Sequence, residues 1–294
     1  MTSPGFYART KLASPTQSVS KDQDALRIGI LGAATIAPNA LISPAKYSRS
    51  LTVVSIAARD ELKAKEYAEK HGIPTTHSSY DALIADPTID CIYNPLPNGL
   101  HYEWTRKALE AGKHVLLEKP ATSNAFLTEQ LVSLAKEKNL VLLEAFHYRF
   151  HPASIEFRKM VQEELKKDGT KIEKVEAVMS FPQVFPKTDI RFKYSLGGGV
   201  AMDSGCYTVN AIRYFTCLAV QDVKTAHARI VDEDPDIDGR MDAVLKLEGG
   251  VEAKLVASLT NSLWSLQTWR EYLPRVVIET ETKVFTFMVF LIPS

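Results

Sequence analysis

The feature that most constrains this chain is the alternation of short apolar runs with helix-patterned segments between residues 25 and 146. Residues 25–31, 51–58, 89–93, 115–117 and 140–145 read as buried strands. Residues 35–46, 61–71, 79–84, 100–111 and 123–138 read as the helices between them, the first only if Pro38 sits in its opening turn. Ser79 and Ser123 are placed as N-caps, and Gly72 and Gly112 stand where left-handed C-caps belong. Strands separated by helices of this length require crossover connections, so the pattern predicts a doubly wound parallel sheet.

The pattern then changes. An amphipathic helix over 152–167 is followed by a half-exposed strand at 172–180 and an aromatic, proline-punctuated loop over 180–194. Gly197-Gly198-Gly199 precedes a helix over 200–215, and strands follow near 223–230, 239–247, 251–259 and 275–280. Strands in succession predict an α+β domain on a mostly antiparallel sheet. The expected organisation is a flexible leader over 1–24, a dinucleotide-binding domain over 25–146 and a second domain over 147–294.

A chain of 294 residues is long enough for two such cores. Lys+Arg and Asp+Glu both number 35, so there is no global electrostatic attraction to nucleic acid or to an anionic membrane. No apolar run approaches the ~20 residues needed to span a bilayer. Cys91, Cys206 and Cys217 are odd in number and form no CxxC, which suggests free thiols in a reducing compartment. With no secretory signal pattern, a cytoplasmic location is expected.

Three segments carry chemistry. The first is Gly29-Ile30-Leu31-Gly32-Ala33-Ala34-Thr35-Ile36-Ala37, between the first strand and its helix. Set on the dinucleotide fingerprint, Gly32 is the tight-turn glycine. Ala34 takes the place of closest approach to a pyrophosphate, and Ala37 the place of helix–strand packing. Helix N-terminal amides here would face phosphates. The acid expected on an adenosine ribose at the end of strand two is replaced by Ala57-Ala58-Arg59. A guanidinium suits a 2′-phosphate, so the residues point to NADP(H) over NAD(H). The second segment is Asn94-Pro95-Leu96-Pro97-Asn98-Gly99-Leu100-His101, and the third Glu118-Lys119-Pro120. Both follow strand ends, the ligand edge of an open α/β sheet.

With Gly197-Gly198-Gly199-Val200-Ala201-Met202-Asp203-Ser204-Gly205-Cys206-Tyr207, Glu144-Ala145-Phe146 and Arg149-Phe150-His151-Pro152, these motifs resemble the Gfo/Idh/MocA oxidoreductases. Within that family the chain is most similar to the NADP-dependent D-xylose 1-dehydrogenases and dimeric dihydrodiol dehydrogenases, with Tyr207 carrying the preference. The resemblance implies a Rossmann domain and a C-terminal domain whose open sheet forms a homodimer interface. It also implies that residues 94–101 lie over the cofactor, and that Lys119, Asp203 and Tyr207 form the catalytic set. A free tyrosine, with a pKa near ~10, is a poor base at neutral pH, and a nearby ammonium lowers that value. Lys119 would supply the charge and contact the nicotinamide ribose; either Lys119 or Tyr207 takes the proton.

Alternatives stand beside these roles. Asp203 also reads as an ordinary carboxylate near a helix N-terminus, and His101 as a polar residue in a helix's first turn. Glu118 reads as a ribose contact or an orienting group, and Arg149 as a substrate-cleft residue or an ion-pair partner. His147 and His151 are four apart but have no HExxH context, so no metal site is expected. The expected function is oxidation of an aldose at C1, such as D-xylose to its lactone, with NADP+ as acceptor. A trans-dihydrodiol dehydrogenase, a non-catalytic NADP sensor and an inactive shortened product are the alternatives. The last follows from the apolar run over 284–292, which ends where relatives continue with further strands and a helix.

Overall fold

The computed structural model describes residues 19–182, 185–231, 234–261 and 273–288. The chain divides into two compact units between Ala145 and Phe146.

The first unit is a sheet of six parallel strands, β1 (Leu26–Leu31), β2 (Leu51–Ala57), β3 (Thr75–His77), β4 (Cys91–Asn94), β5 (His114–Leu117) and β6 (Leu142–Glu144). Their spatial order is β3-β2-β1-β4-β5-β6. The order reverses between β1 and β4, and in open α/β sheets ligands bind outside the carboxyl ends of the strands at such a switch point. The connections are a π-type turn (Pro38–Ile42) running into α1 (Ser43–Tyr47), then α2 (Glu61–His71), α3 (Tyr80–Ala85), α4 (His101–Glu110) and α5 (Ala125–Glu137).

Ile30, Leu31, Ile56, Ile92 and Leu117 are fully buried on the central strands. Each contributes about 1.5–3 kcal/mol relative to exposure, which is why these strands read as unbroken apolar runs. Ser79 caps α3 as expected, and Gly72 closes α2 in the left-handed conformation. The cap of α5 is Asn124, whose side chain accepts from the Leu127 amide, one residue beyond the expected Ser123. Strand β3 was not legible, because Thr75, Thr76 and His77 carry no apolar pattern.

The expected leader lies mostly outside the described residues, but its last part is not free. Val19 and Asp22 donate backbone amides to Lys46 and Arg49, and the Lys21 ammonium donates to the carbonyls of Ala45 and Ser48. An Arg49–Asp22 ion pair adds a further tie.

The second unit is a six-stranded mixed sheet of order β12-β11-β7-β10-β9-β8. Its strands are β7 (Ile172–Pro182), β8 (Val220–Val231), β9 (Asp234–Leu247), β10 (Glu252–Asn261), β11 (Arg275–Thr280) and β12 (Val284–Met288). β10 runs parallel to β7, and the other neighbouring pairs are antiparallel. Helices α6 (Pro152–Leu165) and α7 (Cys206–Thr216) cover one face, packing Phe157, Val161, Ile212 and Phe215 against Val175, Ala177, Leu245, Leu255 and Ile278. Ion pairs Glu176–Arg275 and Lys174–Glu279 join the neighbouring strands β7 and β11, and Lys224–Glu252 links β8 to β10 across β9. Of the apolar run expected over 284–292, the part within the described residues pairs antiparallel with β11. Among the described residues no helix is long and apolar enough to cross a membrane.

Candidate active site

The dinucleotide fingerprint lies on the turn after β1, at the point where strand order reverses. Gly32 has φ +83° and donates its amide to Ala57 O at 2.7 Å. A Cβ there would meet Leu96 Cδ2 at 2.9 Å, so a bare backbone is needed for both conformation and space. Ala37 is fully buried, which explains a small residue at the packing position. Between them Ala33, Thr35 and Ile36 are exposed, and Ala34 is half-buried with its carbonyl accepting from the Tyr67 hydroxyl at 2.8 Å. An exposed small-residue loop on a strand-to-helix turn fits a pyrophosphate. Tyr67 was not singled out from sequence; burial pushes its phenol up to about 12, so it is a neutral donor that holds the loop.

Beyond β2, Arg59 is exposed, while the Asp60 carboxylate accepts from the amides of Leu62 and Lys63 and caps α2. The carboxylate nearest the ribose position is therefore engaged in folding its own helix. The Arg59 backbone also bonds the buried Tyr80 phenol, whose pKa burial raises.

The segment after β4 departs from expectation. Asn94 and His101 were assigned to the cofactor surface, and both are fully buried. Asn94 Nδ2 donates to Thr105 Oγ1 at 3.0 Å and to His101 O, and its Oδ1 accepts from the Leu96 amide. The His101 ring nitrogens lie 2.8 Å from Pro120 O and 2.7 Å from Leu96 O. Burial pushes the imidazole pKa down, opposed by these carbonyls. Both side chains are braces: Asn94 ties the 94–101 segment to itself and to Thr105, and His101 ties it to Pro120. Pro97 and Asn98 stay half-exposed at the loop surface.

Glu118 is half-buried and accepts from the Tyr93 hydroxyl at 2.7 Å, and its amide donates to Asn94 O at 3.1 Å. Lys119 follows, half-buried, joined to Pro120 by a cis peptide. The Ala121 amide donates to Glu144 Oε1 at 2.7 Å. The carboxyl edges of β4, β5 and β6 are thus bound into one framework around Lys119.

In the second unit the expected continuous helix over 200–215 instead opens with a wide π-type turn, Ala201–Gly205, before α7. Such turns recur at functional positions. Asp203 lies on it, and Tyr207 in the first turn of α7. The glycines before it have separate reasons. A Cβ on Gly198 would lie 2.6 Å from Arg191 O. Gly199 has φ +104°, and a Cβ there would lie 2.2 Å from Asp238 Oδ1, while Asp238 Oδ2 accepts the Ala201 amide at 2.8 Å.

Asp203 accepts from Arg191 Nε at 2.9 Å. Arg191, which motif reading passed over, also bonds Asp189 at 3.0 Å and lies 4.0 Å over the Phe185 ring. Tyr207 is buried among Phe146, His147 and Tyr148, with ring centroids 5.3–6.2 Å away. Tyr148 donates to Asn210 Oδ1 at 2.6 Å, and burial raises its pKa.

Arg149 is not brought to this group. Its guanidinium lies 4.8 Å over the Tyr214 ring, two helical turns beyond Tyr207, and its carbonyl accepts from the Tyr214 hydroxyl. His151 caps α6 by accepting from the Ala153 amide, and His147 is exposed beside Tyr207. Among the described residues no three His, Cys, Asp or Glu side chains gather as a metal set. In the aromatic loop over 180–194, Phe181 and Phe185 pack around Val200, and Tyr194 is exposed.

A doubly wound dinucleotide-binding unit with a mixed-sheet second unit defines a two-domain oxidoreductase architecture, and sequence comparison agrees. Residues 26–146 match the oxidoreductase family with an NAD-binding Rossmann fold, and residues 166–272 match the Gfo/Idh/MocA C-terminal domain. The chain belongs to the Gfo/Idh/MocA oxidoreductase family. It is 39% identical over 234 residues to a D-xylose 1-dehydrogenase (NADP(+)) of Haloferax volcanii, covering 79% of this chain and 69% of that protein. It is 32% identical over 211 residues to the trans-1,2-dihydrobenzene-1,2-diol dehydrogenase of Xenopus tropicalis, covering 72% and 62%. Among solved structures, a 3-ketoreductase from Actinomadura kijaniata in complex with NADP and TDP-benzene matches with TM-score 0.74 and 29% identity, over 90% of this chain and 84% of that one.

Proposed function

We propose that this chain is an NADP-dependent oxidoreductase that oxidises a sugar hydroxyl, with aldose C1 as the reacting carbon and D-xylose the first substrate to test. The observation that carries the reading is the cofactor edge of the first unit. The fingerprint loop is exposed at the strand-order switch, Arg59 is exposed beyond β2, and Asp60 is occupied as a helix cap. The similarity to a xylose dehydrogenase supports the substrate class.

In this reading the amides of residues 33–36 hold the pyrophosphate and Arg59 pairs with the 2′-phosphate. Pro97 and Asn98 line the cofactor surface, and Lys119 bonds the nicotinamide ribose. Bound NADP+ supplies the hydride acceptor. Asp203 bonds a sugar hydroxyl, and the proton of the reacting hydroxyl passes to Tyr207 or Lys119. Loss of hydride from C1 and of this proton leaves the lactone, so the two electrons balance. The similarity to a dihydrodiol dehydrogenase supports a second reading with the same machinery and an aromatic diol. The second unit's sheet is the proposed homodimer surface, checked by light scattering.

The test is NADPH formation across aldoses and trans-dihydrodiols by wild type, Tyr207→Phe and Lys119→Ala. We expect turnover by wild type and a loss of about 100-fold or more in each variant. Full activity in either variant removes that residue from the mechanism, and turnover of diols alone selects the second reading.

A further inference from the structure

Arg191 stands outside every motif that drew attention in the sequence, yet it is fixed to the α7 start at several points. Its carbonyl accepts from the Gly199 amide at 2.8 Å, the contact for which Gly198 must lack a Cβ. Its own amide and its Nη1 both donate to Asp189 Oδ1 at 3.0 Å. Its Nε donates to Asp203 Oδ2 at 2.9 Å while the guanidinium face covers Phe185. A planar fork meets two carboxylates and an aromatic face together; an ammonium on a flexible stem does not.

Two further carboxylates approach this turn. Asp189 comes from the preceding loop and Asp238 reaches the turn from β9, both carboxylates. On the helix itself the Cys206 thiol donates to Asp203 O at 3.5 Å, and Tyr207 follows one turn on. The neighbours of Val200 from β7, β9 and β10 are apolar: Phe181, Met241, Ala257 and Leu259. Arg191 forms an ion pair with the Asp203 carboxylate at 2.9 Å.

We propose that Arg191 is a positioning residue: it holds the Asp203 carboxylate ionised and in one orientation on the wide turn, one helical turn before Tyr207. The functional consequence rests on the reading of Asp203 as a substrate-binding group; the electrostatic consequence does not. Removing the guanidinium leaves Asp203 near like charges, which favours its protonated form.

The test is titration of the aspartate carboxyl carbons by ¹³C NMR in the full chain, with the Asp203 signal identified by its loss in Asp203→Asn. The midpoint is expected to rise by about one pH unit or more in Arg191→Met, and to fall between wild type and that variant in Arg191→Lys. An unshifted midpoint in folded Arg191→Met overturns the proposal; should that variant not fold, an unshifted midpoint in Arg191→Lys does so. With a turned-over sugar, Arg191→Met is expected to lower kcat with KM for NADP+ unchanged, and to have no further effect in the Asp203→Asn background. An equal loss in that background overturns the link to Asp203. If wild type turns over no sugar or diol, the functional reading fails while the titration still decides the role of Arg191.

Discussion

The two units hold their motif residues by different means. At the carboxyl edge of the first sheet, Asn94 and His101 turn inward onto backbone carbonyls and a threonine, and Glu118 accepts from a buried phenol. At the start of α7, Asp203 is held by a guanidinium that also serves Asp189, and Asp238 occupies the backbone at Ala201. The first arrangement is mostly neutral and tied to strand ends. The second is a charge cluster on a loop and a wide helical turn. A framework of buried neutral hydrogen bonds is little affected by salt, whereas partly exposed charges are screened. The cofactor edge should therefore behave as a fixed scaffold, and the α7 edge as the part that responds to pH and ionic strength.

The largest expected effect comes from the glycines of the two edges. Gly199→Ala forces an alanine to φ +104° and into Asp238 at 2.2 Å. We expect a loss of about 3 kcal/mol or more. Gly32→Ala meets only the end of the Leu96 side chain at 2.9 Å, at φ +83°, and should cost about 1–2 kcal/mol. Thermal unfolding of both variants ranks them, and equal losses would remove the contrast.

His101→Ala comes next. It removes the ring whose single N–H, in the neutral form, serves one of the Leu96 and Pro120 carbonyls, for an expected loss of about 2 kcal/mol and weaker NADPH binding. Denaturant titration at low and high salt should give the same difference. A strong salt dependence would contradict the neutral brace.

A third prediction concerns Glu164 in the second unit. It accepts from Lys167, Lys283 and Thr282, tying α6 to the residues before β12. The hydrogen bond from Lys167, with that from Lys283, lowers its pKa from 4.5 to about 2. A depressed carboxylate contributes stability that is fully present above the unfolded value and is lost as pH falls through the folded one. The difference in stability between wild type and Glu164→Gln should thus shrink as pH falls from 4.5 toward 2. A difference that stays constant over that range would show that the carboxylate charge does not matter there.

The smallest structural effect is expected from Arg59→Ala. Arg59 is exposed, so stability should change by less than about 0.5 kcal/mol. NADP affinity should fall about tenfold, a loss of ~1.4 kcal/mol, with NAD affinity unchanged. Unaltered NADP affinity in the purified variant would return Arg59 to the role of a surface cation.

Much of the first unit was legible because local signals agree there. The apolar runs became β1, β2, β4 and β5, Gly72 and Ser79 ended and began helices as predicted, and the Gly32 turn fell at the strand-order switch. Strand β3 was missed because it gains its order by pairing with β2 rather than from its own residues. The inward turn of Asn94 and His101 depends on partners 5 to 19 residues away, at Leu96, Thr105 and Pro120, so spacing alone could not show it. In the second unit the helix was visible, but its wide first turn and the Arg191–Asp203 pair were not. The signal for the pair lay in Gly198 and Gly199, which admit the Arg191 carbonyl and Asp238. The stacking of Arg149 on Tyr214 was not legible, because a motif fixes sequence neighbours and not the direction of a long side chain.

The most direct test of the central claim follows the hydride itself. D-Xylose carrying deuterium at C1 is incubated with the purified chain and NADP+, and the reduced cofactor and the sugar product are examined by mass spectrometry. The account predicts singly deuterated NADPH together with an unlabelled lactone or its hydrolysed acid, at a rate cut sharply by Tyr207→Phe. Reduced cofactor without deuterium, or label retained at C1 of an oxidised sugar, would contradict it.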